Sequence, residues 1–348
     1  MKVELPKPLI DFSLWNRKPA PIWTLSLFTL RRNLAHYPFP HCLNAQERQL
    51  VSNTFKTAIV KHTNAPYLLN LQQLQPVTKT YLAEHYYWQN SMQRLQSGSL
   101  VCIPTNLEWQ ALINGNDHLT IQHASLDSTW TDPYRKLYEI EDALAHQIAF
   151  AYHSQFGYLT SSLAHVGTGL SLQIFLHLPL LIQTQKIQDY LLQLLPEGIS
   201  AKGLSQNPNH YLGDLLVLHN PYCSGKSETD LLHRMHTIAN EMVAAESDLR
   251  AALRNHPKDE WIDRTTRAYG LLRHSYKLST KEALTHLSLL KLGSNLGWLE
   301  GLSDADCNTL FFQMRRGHLK FLAPDSPDPE TARAHLMKKA LAPTTLTI

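Results

Sequence analysis

Concentrated charge is what this sequence lacks first. Its 348 residues carry 32 Lys and Arg against 29 Asp and Glu, a formal net charge of +3, with no run of five like charges. Binding to nucleic acid or to an anionic membrane needs a dense cationic stripe, so both are excluded as partners. Cysteine is scarce: Cys42, Cys102, Cys223 and Cys307 are scattered, without a CxxC pair or a short-spaced Cys/His cluster. That excludes a zinc-finger type of metal site and fits free thiols in a reducing compartment. Long apolar runs are missing too. The longest, Ile174 to Ile182, is interrupted by His177 and Pro179 and is far too short to cross a bilayer. The opening MKVELPKPLIDFSLWNRKP places prolines and charges where a signal peptide needs an unbroken apolar core. No period of 20–50 residues recurs, which argues against a repeat architecture. The chain reads as soluble and cytoplasmic, and its 43% hydrophobic content suits a large globular core.

One local absence raises a question. Gly167 and Gly169 flank Thr168 in SSLAHVGTGLSL (161–172), a backbone able to approach an anion closely. Yet no Lys or Arg occurs between Tyr158 and Gln185.

The patterned segments divide the chain in two. Residues 1–20, with Pro6, Pro8 and Pro19, read as an extended arm. Leu50, Val51, Phe55 and Ile59 follow the N-cap candidate Asn44 at helical spacing. Leu100–Ile103, Trp109–Ile113 and Leu119–Gln122 are short β-prone runs, and Asn114-Gly115-Asn116 between the last two signals a hairpin. Ser171–Leu178 and Leu215–Leu218 add strands. Hairpins imply antiparallel pairing, so the expected fold class is α+β, an antiparallel sheet flanked by helices. From Ser227 the pattern turns helical: 227–254 forms one long helix ended by His256-Pro257, where a boundary separates residues 1–256 from 257–348. Beyond it, Ser279-x-x-Glu282 opens a helix with Gly293 as its C-cap, Ser303-x-x-Asp306 opens another, and Glu330–Leu341 forms a last one. The end of the chain is a small helical bundle.

Isolated polar residues give little chemistry. His165, His177 and Asp117 read more readily as structural than as catalytic. His233 and His236 sit on one helix with no third ligand suggested, so no metal site is expected. Lys226 in SGKS lacks the spaced first glycine of a P-loop. Arg31-Arg32 suits a phosphate grip and a structural ion pair equally.

Four segments in order, RRNLAHYPFP (31–40), INGNDHLTIQ (113–122), GYLTSSLAHVGTGL (157–170) and SGKSETDLLHRMHTI (224–238), resemble the phosphagen (ATP:guanidino) kinase family, most nearly its bacterial protein-arginine kinase branch. The resemblance runs from about residue 20 to 322 and implies a guanidino-kinase catalytic-type domain over 1–256, followed by a helical dimerisation-type domain over 257–348. It also implies a degenerate site. The family's two phosphate-binding arginines in SSRIRLARN fall on Leu27 and Thr29, and further ones on Thr120 and Ser171, while a fifth falls on Lys202. A nucleotide-contacting histidine falls on Ser91, and a glutamate of the same site on Asn207. The catalytic base of NEEDH falls on Asn116 and the active-site cysteine of TSC on Ser162. An RDxxRA element that reads phosphoarginine in that branch retains only Arg333, with Pro329 at its first arginine.

Phosphoryl transfer to a guanidinium needs cations on the phosphates and a carboxylate base. At about 1.5–3 kcal/mol for each charge-assisted hydrogen bond, four missing arginines remove roughly 6–12 kcal/mol before non-additivity. Lys202 cannot reproduce planar guanidinium forks, and asparagine takes no proton near neutral pH. The expectation is therefore a pseudokinase: a non-catalytic adaptor or regulator in a protein quality-control system, with no cofactor. As a homodimer it would work with a zinc-binding activator protein and a Clp-type chaperone. The alternative is an active MgATP-dependent protein-arginine kinase with a site rebuilt around Lys202, Arg31 and Arg32; a further one is a neutral cleft for another small ligand. On either reading of the site, Gly167 and Gly169 shape a turn between sheet elements.

Overall fold

The computed structural model describes residues 4–12, 20–88, 97–126, 130–204, 210–225, 227–326 and 328–348, excluding the side chain of Leu195. Ser91, Asn207 and Lys226 lie outside the described residues.

The fold is built on one eight-stranded antiparallel sheet. Its order is Tyr67–Asn70, Leu100–Ile103, Trp109–Ile113, Leu119–Ser125, Trp23–Arg32, Leu170–His177, Leu215–His219, Ser200–Gly203. The expected strands are all present, as is the 109–122 hairpin. The central strand, Trp23–Arg32, alternates apolar and polar residues through Leu27 and again from Phe28, with the phase changing between them, and both its faces are buried.

Alternate residues of each strand feed two cores. Leu25, Leu27, Leu112, Ala124, Phe175 and Val217 face one side, with helices Pro76–His85, Asp259–His274 and Thr280–Leu296. Phe28, Leu30, Ile113, Ile121, Leu172, Ile174 and Leu218 face the other, with Ala45–His62, Thr131–Ala145 and Glu228–Asn255. Residues on both sides of position 256 therefore share the first core, with Leu27 and Leu215 in the same cluster as Leu287 and Phe311.

Two local expectations need correction. The described part of the N-terminal arm is not extended: Lys7–Asp11 is a short helix, and Leu5 and Leu9 are buried in the first core. Apolar residues on a proline-rich segment found a docking surface, which local pattern alone does not show. Gly293 is not a C-cap either. The helix runs on to Leu296 and is capped by Gly297 at φ 82°, the left-handed conformation that glycine accepts most readily. Gly293 lies inside the helix, where the absence of a Cβ leaves room for Thr265 Cγ2, which a Cβ would meet at 2.6 Å. The expected capping boxes at Ser279–Glu282 and Ser303–Asp306 both form.

Candidate functional site

On the first face the sheet changes character along its length. Leu25 and Leu27 are apolar, whereas Thr29 and Arg31, next on the same side of the same strand, meet Gln122 and Thr120 on one neighbour and Ser171 on the other. Gln173, His219 and Lys202 continue this polar patch across the sheet. Above it opens a cleft of about 720 Å³, whose walls also include Arg48, Asn116, Asp117, Ser162 and His165.

Arg31 and Arg32 separate as adjacent strand residues must. Arg31 Nη1 donates to Ser171 Oγ at 2.7 Å within the cleft. Arg32 Nε pairs with Glu141 at 2.8 Å, its Nη1 donates to the Thr168 carbonyl at 2.9 Å, and its guanidinium covers the Tyr158 ring at 3.4 Å. Arg32 is thus a structural ion pair, and only Arg31 of the two reaches the cleft.

The glycine loop is shaped by packing. A Cβ on Gly167 (φ 118°) would lie 2.6 Å from the Cys223 carbonyl, and one on Gly169 (φ 67°) 2.7 Å from the Arg31 carbonyl. These glycines let the 157–170 segment close against two neighbouring segments, with Arg32 Nη1 2.7 Å from a Cβ placed on Gly169, so the cation beside the loop comes from the central strand and not from the loop itself.

The hairpin tip contributes the carboxylate Asp117, which is buried. Its Oδ1 accepts from Asn33 Nδ2 at 2.7 Å and from the Ser161 amide at 2.8 Å. His118 Nδ1 accepts the Leu34 amide, and burial pushes this imidazole down to about 4. Both residues therefore tie the hairpin to the central strand. Asn116 is exposed at the cleft wall, and its carbonyl accepts from Ser161 Oγ at 2.6 Å. The hairpin loop is longer than a two-residue Asn-Gly turn: Asn114 takes φ 50° and its amide donates to the His118 carbonyl.

Electrostatically the cleft is cationic, not neutral as the substitutions alone suggested. Lys202 is lowered to about 8 by burial and by Arg31. Burial, then Arg31 and Lys202, hold His165 at about 3; burial and Lys202 hold His219 at about 4. Arg48, from the first helix after the central strand, was not singled out in the sequence. Its Nε is buried without a hydrogen-bond partner. Only its placement beside the hairpin, where Asn114 Nδ2 donates to its carbonyl, brings it to the cleft.

The positions matched to phosphate arginines are not equivalent. Thr29, Thr120 and Ser171 lie in the polar half of the sheet, each nearly sealed from solvent, whereas Leu27 is fully buried in the apolar core. A triphosphate held in the family's manner does not fit a donor set in which none of these four carries charge. Ser162 lines the cleft. Arg333 is remote from it, 2% exposed, and donates to the Met314 and Leu278 carbonyls.

Comparison with known proteins gives the architecture its context. The model of the ATP:guanido phosphotransferase C-terminal catalytic domain matches residues 47–249. The chain belongs to this family. The protein-arginine kinase McsB C-terminal domain matches residues 258–346. Among curated relatives, the protein-arginine kinase of Syntrophomonas wolfei is 29% identical over 320 residues, covering 90% of this chain and 89% of the relative. That of Geobacillus stearothermophilus is 28% identical over 342 residues, covering 94% and 93%. Of the solved structures, lombricine kinase has a TM-score of 0.59 at 15% identity, covering 72% of this chain and 73% of its own. The duplicated taurocyamine kinase from Schistosoma mansoni gives 0.58 at 18%, covering 82% of this chain and 42% of that one. The likeness to these solved structures is one of fold: the ATP:guanido phosphotransferase sheet with helices on both faces.

Proposed function

We propose that this member of the family is a non-catalytic protein-arginine kinase homologue, an adaptor or regulator rather than a phosphotransferase. One observation carries the reading: the position on the cleft wall that matches the family's base is Asn116, while the neighbouring carboxylate Asp117 uses its Oδ1 to hold Asn33 and the Ser161 amide. Transfer to a guanidinium nitrogen needs that nitrogen deprotonated as it attacks, and a missing general base typically costs about 10²–10⁴ in rate. His165 and His219 are poor substitutes at about 3 and about 4.

A second reading, an active protein-arginine kinase with a rebuilt site, is favoured by the cations Arg31, Arg48 and Lys202, which face the cleft from positions that partly offset the lost arginines. It supplies charge for MgATP but no base. The burial of Arg333 argues against assigning it to phosphoarginine recognition.

The reading extends to assembly. Helices Thr280–Leu296 and Asp304–Gln313 keep their capping boxes, and the match of residues 258–346 to the protein-arginine kinase C-terminal domain supports a homodimer formed through this segment. Contacts with a zinc-binding activator protein and a Clp-type chaperone would survive loss of chemistry on such a scaffold. Calorimetry of the full chain with MgATP tests the nucleotide side. No binding tighter than about millimolar, near 4 kcal/mol, is expected; micromolar, Mg²⁺-dependent binding would favour the rebuilt site.

A further inference from the structure

The sheet has a second opening, on the face opposite the cleft. Helices Ala45–His62 and Thr131–Ala145 leave a notch of about 240 Å³ between them, over strands Trp109–Ile113 and Leu119–Ser125. Its floor is apolar. Ile59, Trp109 and Leu144 belong to the second core and are at most 8% exposed, and Ala143 lines the notch from the helix above. None of the positions matched to the family's motifs lies in it. Water over an apolar floor forfeits hydrogen bonds, so a ligand with an apolar body gains by displacing it. The size selects a small ligand, since pockets for larger organic molecules run to about 300–1,000 Å³.

The rim sets the sign of its charge. Two carboxylates, Glu108 and Glu139, share it with one ammonium, Lys136. Neither carboxylate is held tightly. Lys136 Nζ stands 3.8 Å from Glu108, and Arg135 stands 3.8 Å from Glu139 but 3.0 Å from Asp132. Such exposed, loose pairs are screened by water and contribute little, so each can yield to a cation on a ligand. Two further groups favour the same sign. The helix Ala45–His62 ends at the notch with His62 and Thr63, and the negative end of its dipole attracts a cation. His123 is buried and donates from Nδ1 to the Glu108 carbonyl at 2.8 Å. A carbonyl only accepts, so Nε2 of the neutral ring is an acceptor. An anion would meet the wrong sign from both carboxylates and from the helix end.

We propose that this notch binds a small amine, with its ammonium group between Glu108 and Glu139 and its apolar body against Trp109, Ile140 and Leu144. The site is separate from the cleft. It stands whether or not the cleft transfers phosphoryl groups, and its test reads binding alone. A neutral apolar molecule would fill the same floor but leave both carboxylates to their loose partners, so charge is what distinguishes the amine from it.

The test uses the full chain in calorimetry, with phenethylamine, its neutral counterpart 2-phenylethanol and the anion phenylacetate as probes. Phenethylamine should bind with about millimolar affinity or tighter, and more weakly at high salt. The alcohol should bind about fivefold more weakly, because it lacks the ion pairs, and phenylacetate more weakly still. Glu108→Gln and Glu139→Gln should each weaken phenethylamine by about threefold, the scale of an exposed ion pair, and leave the alcohol unchanged. Ala143→Phe fills the notch and should abolish binding of both, with circular dichroism checking its fold; Ala143→Leu serves if the larger residue is not tolerated. The proposal is overturned by no phenethylamine binding, by the alcohol or phenylacetate binding as tightly, by phenethylamine binding indifferent to both glutamine variants, or by binding unaffected when position 143 is filled.

Discussion

Arg31 Nη1 lies 2.7 Å from Ser171 Oγ, across the pair of strands at the centre of the sheet. This guanidinium thus occupies the ground above position 171, where the family resemblance implies an arginine. The positive charge of the cleft comes from Arg31, Arg48 and Lys202, and the position matched to the family's base is Asn116. That combination separates binding from chemistry, because holding an anion and removing a proton are different demands.

Arg32 supports the loop that forms the cleft wall. Arg32→Ala should leave Glu141 buried without its partner and release the Thr168 carbonyl. A loss of about 3–5 kcal/mol in urea unfolding is expected, the cost of breaking a buried pair. Arg32→Lys should not restore it fully, since an ammonium cannot bond Glu141 and Thr168 together while covering the Tyr158 ring. A loss below about 1 kcal/mol, the scale of a surface pair, would contradict this role.

Returning arginine to the positions of the family's phosphate clamp should have unequal effects. Leu27→Arg places a charge among Leu25, Ala124 and Phe175 in the first core, and should destabilise the fold by several kcal/mol, on the order of 3 or more. Ser171→Arg enters the polar half and should be tolerated better, at the expense of the Arg31 contact. Thermal unfolding of the two variants side by side would check the ranking. An unchanged midpoint for Leu27→Arg would mean that position 27 still opens to the cleft.

Much of this architecture was legible in the sequence. The 109–122 hairpin, the capping boxes and the long helix announce themselves through local chemistry: turn residues, side-chain caps and helical periodicity. The central strand, WTLSLFTLRR, is less plain, because its apolar/polar alternation changes phase between Leu27 and Phe28 and serves two buried faces. The helix at 7–11 depends on a distant surface to cover Leu5 and Leu9. The site was half legible. Matching motifs pointed to Leu27, Thr29, Thr120 and Ser171, of which the last three lie together in the polar half of the sheet and Leu27 in the apolar core, but a position-by-position match cannot show a cation arriving from elsewhere. Arg48 becomes visible only once the hairpin loop docks on its helix, and the division of labour between Arg31 and Arg32 only once strand direction is fixed.

The junction between the catalytic-type sheet and the C-terminal helices should be acid-sensitive. His85 Nδ1 and His318 Nε2 are 3.3 Å apart, and His318 Nδ1 meets Glu84 Oε2 at 3.0 Å. Burial, then His318, holds His85 at about 3, against about 6.5 for a free imidazole. Between those values the unfolded chain binds the extra proton, so stability falls as pH drops through 6.5 towards 3. From pH 7 to 5 the His85 contribution amounts to roughly 2 kcal/mol. His85→Gln should flatten the unfolding free energy over that interval by a similar amount. An unchanged slope would show that His85 is not the proton acceptor.

Self-association through residues 257–348 should give a homodimer. Light scattering of the full chain checks this: twice the 39.7 kDa chain mass is expected, whereas a monomer at all concentrations would contradict it.

That this member of the ATP:guanido phosphotransferase family does not transfer phosphoryl groups, as proposed, is tested most directly by incubating the full chain with MgATP and an arginine-rich protein, followed by mass spectrometry for phosphoarginine. The account predicts none above the enzyme-free control, with or without Asn116→Glu. Phosphoarginine formed by the unmodified chain and abolished by Lys202→Ala would contradict it.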